Sequence, residues 1–156
     1  MERISIKELE QFLNESNKST YANKDAPKAI ASRLESEDYH FENDDLIYHD
    51  TYFGGRDFIG GEIVYKNKKP VWGMNYYGYV LDPAVSEKEV YNFLRQALMQ
   101  EYSDIIPVRG PKIFESNGCK YTNTTNGSID RFTGYEEIYF EDSVVYKADY
   151  HGGFIK

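Results

Sequence analysis

The chain has 156 residues, 40% hydrophobic and 28% charged, which is enough apolar material for one substantial core and argues against wholesale disorder. Its net charge of −8 and the absence of any basic run disfavour direct nucleic-acid binding, which needs clustered cations to displace counterions. No apolar stretch approaches the roughly 20 residues of a membrane helix. The opening residues lack a signal-peptide core, and a single cysteine, Cys119, excludes an intrachain disulfide or a multi-thiolate metal site.

The first element in the chain is a helix opening at Ser5. Ser5 and Glu8 have the spacing of a capping box, and Leu9, Phe12 and Leu13 follow on one helical face. A long polar connection runs from Ala22 to Asp45, with a short helix expected around residues 26–34. Connections of this length often carry function. A strand is then expected over 46–53, followed by a hairpin whose arms begin at Phe58 and Pro70. A second helix opens at Ser86, again with the Ser-x-x-Glu pattern, and carries Val90, Phe93, Leu94, Ala97 and Leu98 on one face. A strand over 120–126 and a second hairpin from Phe132 to Gly152 complete the chain.

The two hairpins align without a gap. Phe58, Gly60, Glu62, Tyr65, Val71, Tyr76 and Gly78 match Phe132, Gly134, Glu136, Tyr139, Val145, Tyr150 and Gly152, while Trp72 stands against Tyr146. The order of elements predicts an α+β fold made by duplication, a helix plus a three-stranded antiparallel meander, twice (αβββ-αβββ), with a pseudo-two-fold relation. Residues 1–156 read as one soluble domain with repeat units over 5–80 and 86–156.

Alternation assigns the faces of the strands. With three-residue loops at 67–69 and 141–143, Gly60 lies opposite Tyr76 and Phe58 opposite Gly78; Gly134 lies opposite Tyr150 and Phe132 opposite Gly152. Each glycine is then covered by a ring from the next strand. The same register turns Glu62 and Glu136 onto the apolar face, where an ionised carboxylate costs several kcal/mol unless it is paired or hydrogen-bonded. Two readings follow: both carboxylates are satisfied internally and fix the register, or they line a cavity and meet a ligand. Arg109, in the Pro107–Pro111 segment, either pins that loop through a carboxylate or contributes to the same site.

Several local patterns resemble a bacterial domain of unknown function, DUF5680, seen alone or behind Xre-type helix-turn-helix domains. They are Thr20-Tyr21-Ala22, Ser32-Arg33, Tyr48-x-Asp50-x-Tyr52-x-Gly54-Gly55, Phe58-x-Gly60-x-Glu62, Pro70-Val71-Trp72-x-Met74-Asn75-Tyr76, Pro107-x-Arg109-Gly110-Pro111, Phe132-x-Gly134-Tyr135-Glu136-Glu137-Ile138 and His151-Gly152-Gly153-x-Ile155-Lys156. Gly61 stands where that pattern carries an acidic residue. The resemblance implies no catalytic residues and no cofactor. It implies an effector- or sensor-type role, associated in that family with transcriptional regulators. With no helix-turn-helix read ahead of Ser5, direct DNA contact is not expected. The cyclic order of elements is also that of duplicated effector-binding domains in some drug-responsive regulators, which is an analogy of fold alone.

The sequence therefore supports a cytoplasmic, non-catalytic small-molecule-binding domain. Its expected pocket at the junction of the meanders is built from Glu62, Glu136, Trp72, Tyr76, Tyr146, Tyr150 and Arg109, and rings beside carboxylates favour a small organic cation. The alternatives are a protein-interaction or homodimerisation module and a hydrolase using paired carboxylates. The three histidines, His40, His49 and His151, are read as exposed residues and not as a metal centre.

Overall fold

The computed structural model describes residues 4–156. Helix α1 (Ile6–Ser19) is capped by Ser5, whose hydroxyl accepts the Glu8 N–H at 3.1 Å while the Glu8 carboxylate accepts the Ser5 N–H at 3.3 Å. Helix α2 (Glu87–Leu98) is capped by Ser86. The strands are β1 (Glu37–Asn43), β2 (Leu46–Gly54), β3 (Asp57–Lys66), β4 (Lys69–Val80), β5 (Ile113–Ser116), β6 (Cys119–Ser128), β7 (Arg131–Phe140) and β8 (Ser143–Phe154).

The expected α+β architecture is corrected. Among the described residues, eight strands form one antiparallel sheet in the order β1-β2-β3-β4-β8-β7-β6-β5, and two short helices, of 14 and 12 residues, pack on it. Each half of the chain supplies four strands, not three. The two strands that the sequence pattern does not reveal, β1 and β5, lie at the two edges. In β1 the outward positions Asp38, His40 and Glu42 are polar, and β5 is only four residues long, so neither carries a strong apolar alternation. The helix expected over 26–34 does not form. That stretch is irregular and meets β1 through the Ala29–Asp38 bridge, while Ser32 and Ser36 spend their hydroxyls on Asp38. Serine and aspartate bonds of this kind compete with helical backbone pairing.

The hairpin registers agree with expectation although their loops do not. The loops have two residues, Asn67-Lys68 and Glu141-Asp142, and one extra residue on each return strand, Val71 and Val145, forms a bulge. Two loop residues plus one bulged residue restore the offset of a three-residue loop. Asn67 and Lys68 have φ of 50° and 62°, the left-handed pair that a tight hairpin needs. Gly60 faces Tyr76 and Gly134 faces Tyr150. A Cβ on Gly134 would stand 2.3 Å from the Tyr150 ring, so the ring lies directly on the backbone.

One face of the sheet is covered and the other meets solvent. On the covered face, Leu9, Phe12 and Leu13 of α1 pack with Tyr48, Val64 and Trp72. Val90, Leu94 and Ala97 of α2 pack with Tyr121, Ile138 and Tyr146. Each fully buried Leu or Phe contributes about 1.5–3 kcal/mol. Beneath the helices, the inward positions of β2, β3, β6 and β7 include carboxylates and tyrosine hydroxyls, and these form the polar centre of the molecule.

Candidate functional site

A cavity of about 260 Å³ lies on the covered face, bounded by β2–β4, the end of α1 and the side of α2. Its floor is Tyr48, Asp50, Glu62 and Tyr76, all buried. Tyr21, Phe58, Tyr91, Leu98 and Val108 also line it, and the exposed residues Lys28, Glu37 and Gly55 form its rim. Aromatic edges organise the wall: Phe58 meets Tyr76 and Tyr91 with centroids 5.8 Å apart in both pairs. At the rim the Tyr52 hydroxyl donates to Glu37 at 2.9 Å, and the Arg95 guanidinium lies 4.5 Å from the Tyr21 ring centre.

Asp50 and Glu62 are direct partners across β2 and β3, so both carboxylates rise from the floor side by side. Asp50 accepts the Tyr76 hydroxyl at 2.6 Å. Tyr48 hydrogen-bonds to Glu62, yet Glu62 Oε2 is buried with no partner among the described residues. Burial pushes the Glu62 carboxyl up to about 8, reinforced by the neighbouring Asp50 and opposed by Arg109 and the Tyr48 hydroxyl. Burial also raises Asp50 to about 7, opposed by the Tyr76 hydroxyl and by Arg109. Two like charges in a poorly solvated floor cannot both ionise readily, so the pair carries a proton into neutral solution.

Glu136 is placed differently. It is fully buried, and its Oε2 accepts from Arg109 Nε at 3.1 Å and from the Tyr121 hydroxyl at 2.6 Å. Its Oε1 accepts from the second arm of Arg109 and from the Tyr146 hydroxyl at 2.9 Å. Burial alone would lower the Arg109 guanidinium, but Glu136 holds it well above its ordinary value. The loop that delivers Arg109 is fastened on both sides. Asn123 donates to the Gly110 carbonyl at 2.9 Å, and Gly110 N–H donates to the Tyr121 oxygen at 3.1 Å.

Of the seven residues expected to form a site, Glu62, Tyr76 and Arg109 line the cavity. Trp72, Tyr146, Tyr150 and Glu136 do not. Trp72 donates its indole N–H to the Ile129 carbonyl at 2.9 Å and stacks on Phe132. Tyr150 donates to Asn123 at 2.6 Å. The cavity therefore sits against the first hairpin and α2, and Glu136 of the second hairpin is enclosed. Asp50 was not among the expected residues, although alternation from Leu46 through Tyr48 to Tyr52 places it inward. Tyr21, Tyr91 and Arg95 reach the cavity from a helix and a loop, where strand alternation carries no signal.

Among the described residues no helix is long and apolar enough to cross a membrane, and no set of three or more His, Cys, Asp or Glu converges as metal ligands. No curated protein and no solved structure matches the chain. The sequence profile of one family, a domain of unknown function, matches residues 50–155, which include Asp50, Glu62 and Tyr76 of the cavity floor, Arg109 and both hairpins. The chain belongs to that family, DUF5680.

Proposed function

We propose that this domain binds a small organic cation, an amine or amidine on an aromatic or apolar body, in the cavity over Asp50 and Glu62. The observation that carries this reading is Glu62 Oε2, a buried carboxylate oxygen without a hydrogen-bond partner among the described residues, at the floor of an aromatic cavity. A buried acceptor left unpaired costs about 1–3 kcal/mol, more when charged, and a ligand N–H would recover it. The surrounding tyrosines and Phe58 offer ring faces to the same cation. The volume lies just under the usual range of about 300–1,000 Å³ for ligand pockets and suits a single-ring amine. The domain's role on this reading is to sense or hold the ligand. Glu136 is committed to Arg109, Tyr121 and Tyr146, which leaves a hydrolase built on Glu62 and Glu136 without its second carboxylate.

A thermal-shift screen with benzamidine and phenethylamine, with benzyl alcohol as the uncharged control, tests the proposal. The amines raise the melting temperature and the alcohol does not. Glu62→Gln weakens amine binding roughly 10- to 100-fold, the range expected for a lost charged hydrogen bond. Binding also expels the proton held by the Asp50–Glu62 pair, so calorimetric heats depend on the ionisation heat of the buffer. No shift with any amine at millimolar concentration, or equal shifts with the alcohol, rules the reading out.

A further inference from the structure

On the solvent face of the sheet, away from the cavity, His40 of β1 stands directly opposite His49 of β2. Each imidazole is held through Nε2 by a carboxylate. His49 Nε2 lies 2.6 Å from Asp38 Oδ2, and His40 Nε2 lies 2.7 Å from Glu42 Oε1. Asp38 is itself buried and fixed by the hydroxyls of Ser32 at 2.6 Å and Thr51 at 2.8 Å on the same oxygen, with Ser36 on the other. An ionised carboxylate only accepts hydrogen bonds, so both Nε2 atoms carry hydrogen. In neutral imidazoles both Nδ1 atoms then present lone pairs. Those two Nδ1 atoms face each other at 3.4 Å. Lone pairs so placed repel unless a cation sits between them.

The separation is informative. Two metal–nitrogen bonds of about 2.0–2.1 Å at a tetrahedral angle put their nitrogens about 3.4 Å apart. A carboxylate on the far ring nitrogen is the arrangement that fixes tautomer and orientation in metal-ligating histidines. We propose that His40 and His49 bind one divalent transition-metal ion of the zinc or copper class through their Nδ1 atoms, with water completing its coordination. Neutral imidazole suits those ions, while calcium and magnesium prefer oxygen. The side chains are 38% and 27% exposed, so an ion reaches them from solvent without any opening of the fold.

The competing occupant of the gap is a proton shared between the rings, and the experiment separates the two. The untagged full chain is stripped with a chelator and titrated with Zn²⁺ against a micromolar chromophoric indicator, while the histidine ring signals are followed by NMR. One equivalent binds saturably, shifting the His40 and His49 signals and leaving His151 in place. His40→Gln and His49→Gln each abolish the binding, and Glu42→Gln, which only frees the His40 ring, weakens it about tenfold. Cu²⁺ bound to the wild-type chain gives an electron paramagnetic resonance spectrum with two nitrogen donors. Absence of saturation into the millimolar range, or one-equivalent binding that survives either histidine substitution, overturns the assignment.

Discussion

Glu62 and Glu136 occupy matching positions in their hairpins and live in opposite circumstances. Glu62 lies across from Asp50 and Glu136 across from Asn123. Tyr48 serves Glu62 as Tyr121 serves Glu136, and Tyr76 reaches Asp50 as Tyr150 reaches Asn123. The difference lies in charge. On the Glu136 side, one carboxylate meets one guanidinium, and an amide replaces the second acid. On the Glu62 side, two acids stand together, none of the ion pairs among the described residues reaches them although Arg109 acts on both from a distance, and the space over them is a cavity. The same strand geometry thus yields a closed ion pair in one half and an open, proton-holding floor in the other. A ligand cation over Glu62 would play the part that Arg109 plays for Glu136.

The sharpest way to break this comparison is to remove the guanidinium. Arg109→Ala leaves Glu136 buried and uncompensated, a loss of about 3–5 kcal/mol, read by urea denaturation at neutral pH. Glu136→Gln strands Arg109 in the same way and falls in the same range. Glu62→Gln goes the other direction. Above about pH 8 it stabilises the domain by roughly 1–2 kcal/mol, because it replaces a buried charge lacking a full set of partners with a neutral amide. Equal destabilisation by Glu62→Gln and Glu136→Gln would mean that the two halves are not distinct.

Much of this contrast is legible in the sequence, and what is hidden has a physical cause. Alternation around Glu62 and Glu136 gives both the inward face and the hairpin register, because side-chain period two and a glycine under each ring leave little freedom. The loops are shorter than the spacing predicts, but a bulge compensates each one, so the register survives. The edge strands stay hidden because the outward residues of β1 are polar and β5 is only four residues long. The architecture departs from expectation for a related reason: nothing local in β4 or β8 says that Tyr76 pairs with Tyr150, the long-range contact that joins eight strands into one sheet. Which carboxylate Arg109 chooses is equally beyond the sequence. The choice depends on where a rigid loop between two prolines points, and Asn123 and Tyr121 set that direction through Gly110.

A second, smaller effect sharpens the comparison through pH. Asp50 and Glu62 have folded-state values of about 7 and about 8, above the unfolded carboxylate values of about 4. Between about pH 4 and pH 8 the folded state therefore binds more protons than the unfolded state. The slope of unfolding free energy with pH is negative there, so these groups make the domain lose stability as pH rises through that window and level off above it. Chemical denaturation across pH shows this decline in the wild-type chain. It is flattened in Glu62→Gln, and a wild-type profile whose Glu62→Gln counterpart declines equally would place the titration elsewhere.

The smallest and most discriminating change is Asp50→Asn, which gives the first half the amide that the second half already has. The introduced amide can still accept the Tyr76 hydroxyl through its carbonyl oxygen, so the bond seen at 2.6 Å has a replacement and the net stability change stays within about 1 kcal/mol at pH 7. What moves is Glu62. Without a neighbouring acid, the repulsion that adds to burial is gone, and its carboxyl titrates below its present value of about 8. Carboxyl-labelled NMR of Glu62 in the two proteins reads this directly. A downward move ties the proton held at the cavity floor to the acid pair. An unmoved Glu62 would assign it to burial alone, and the asymmetry between the halves would then rest on Arg109 and not on the exchange of Asp50 for Asn123.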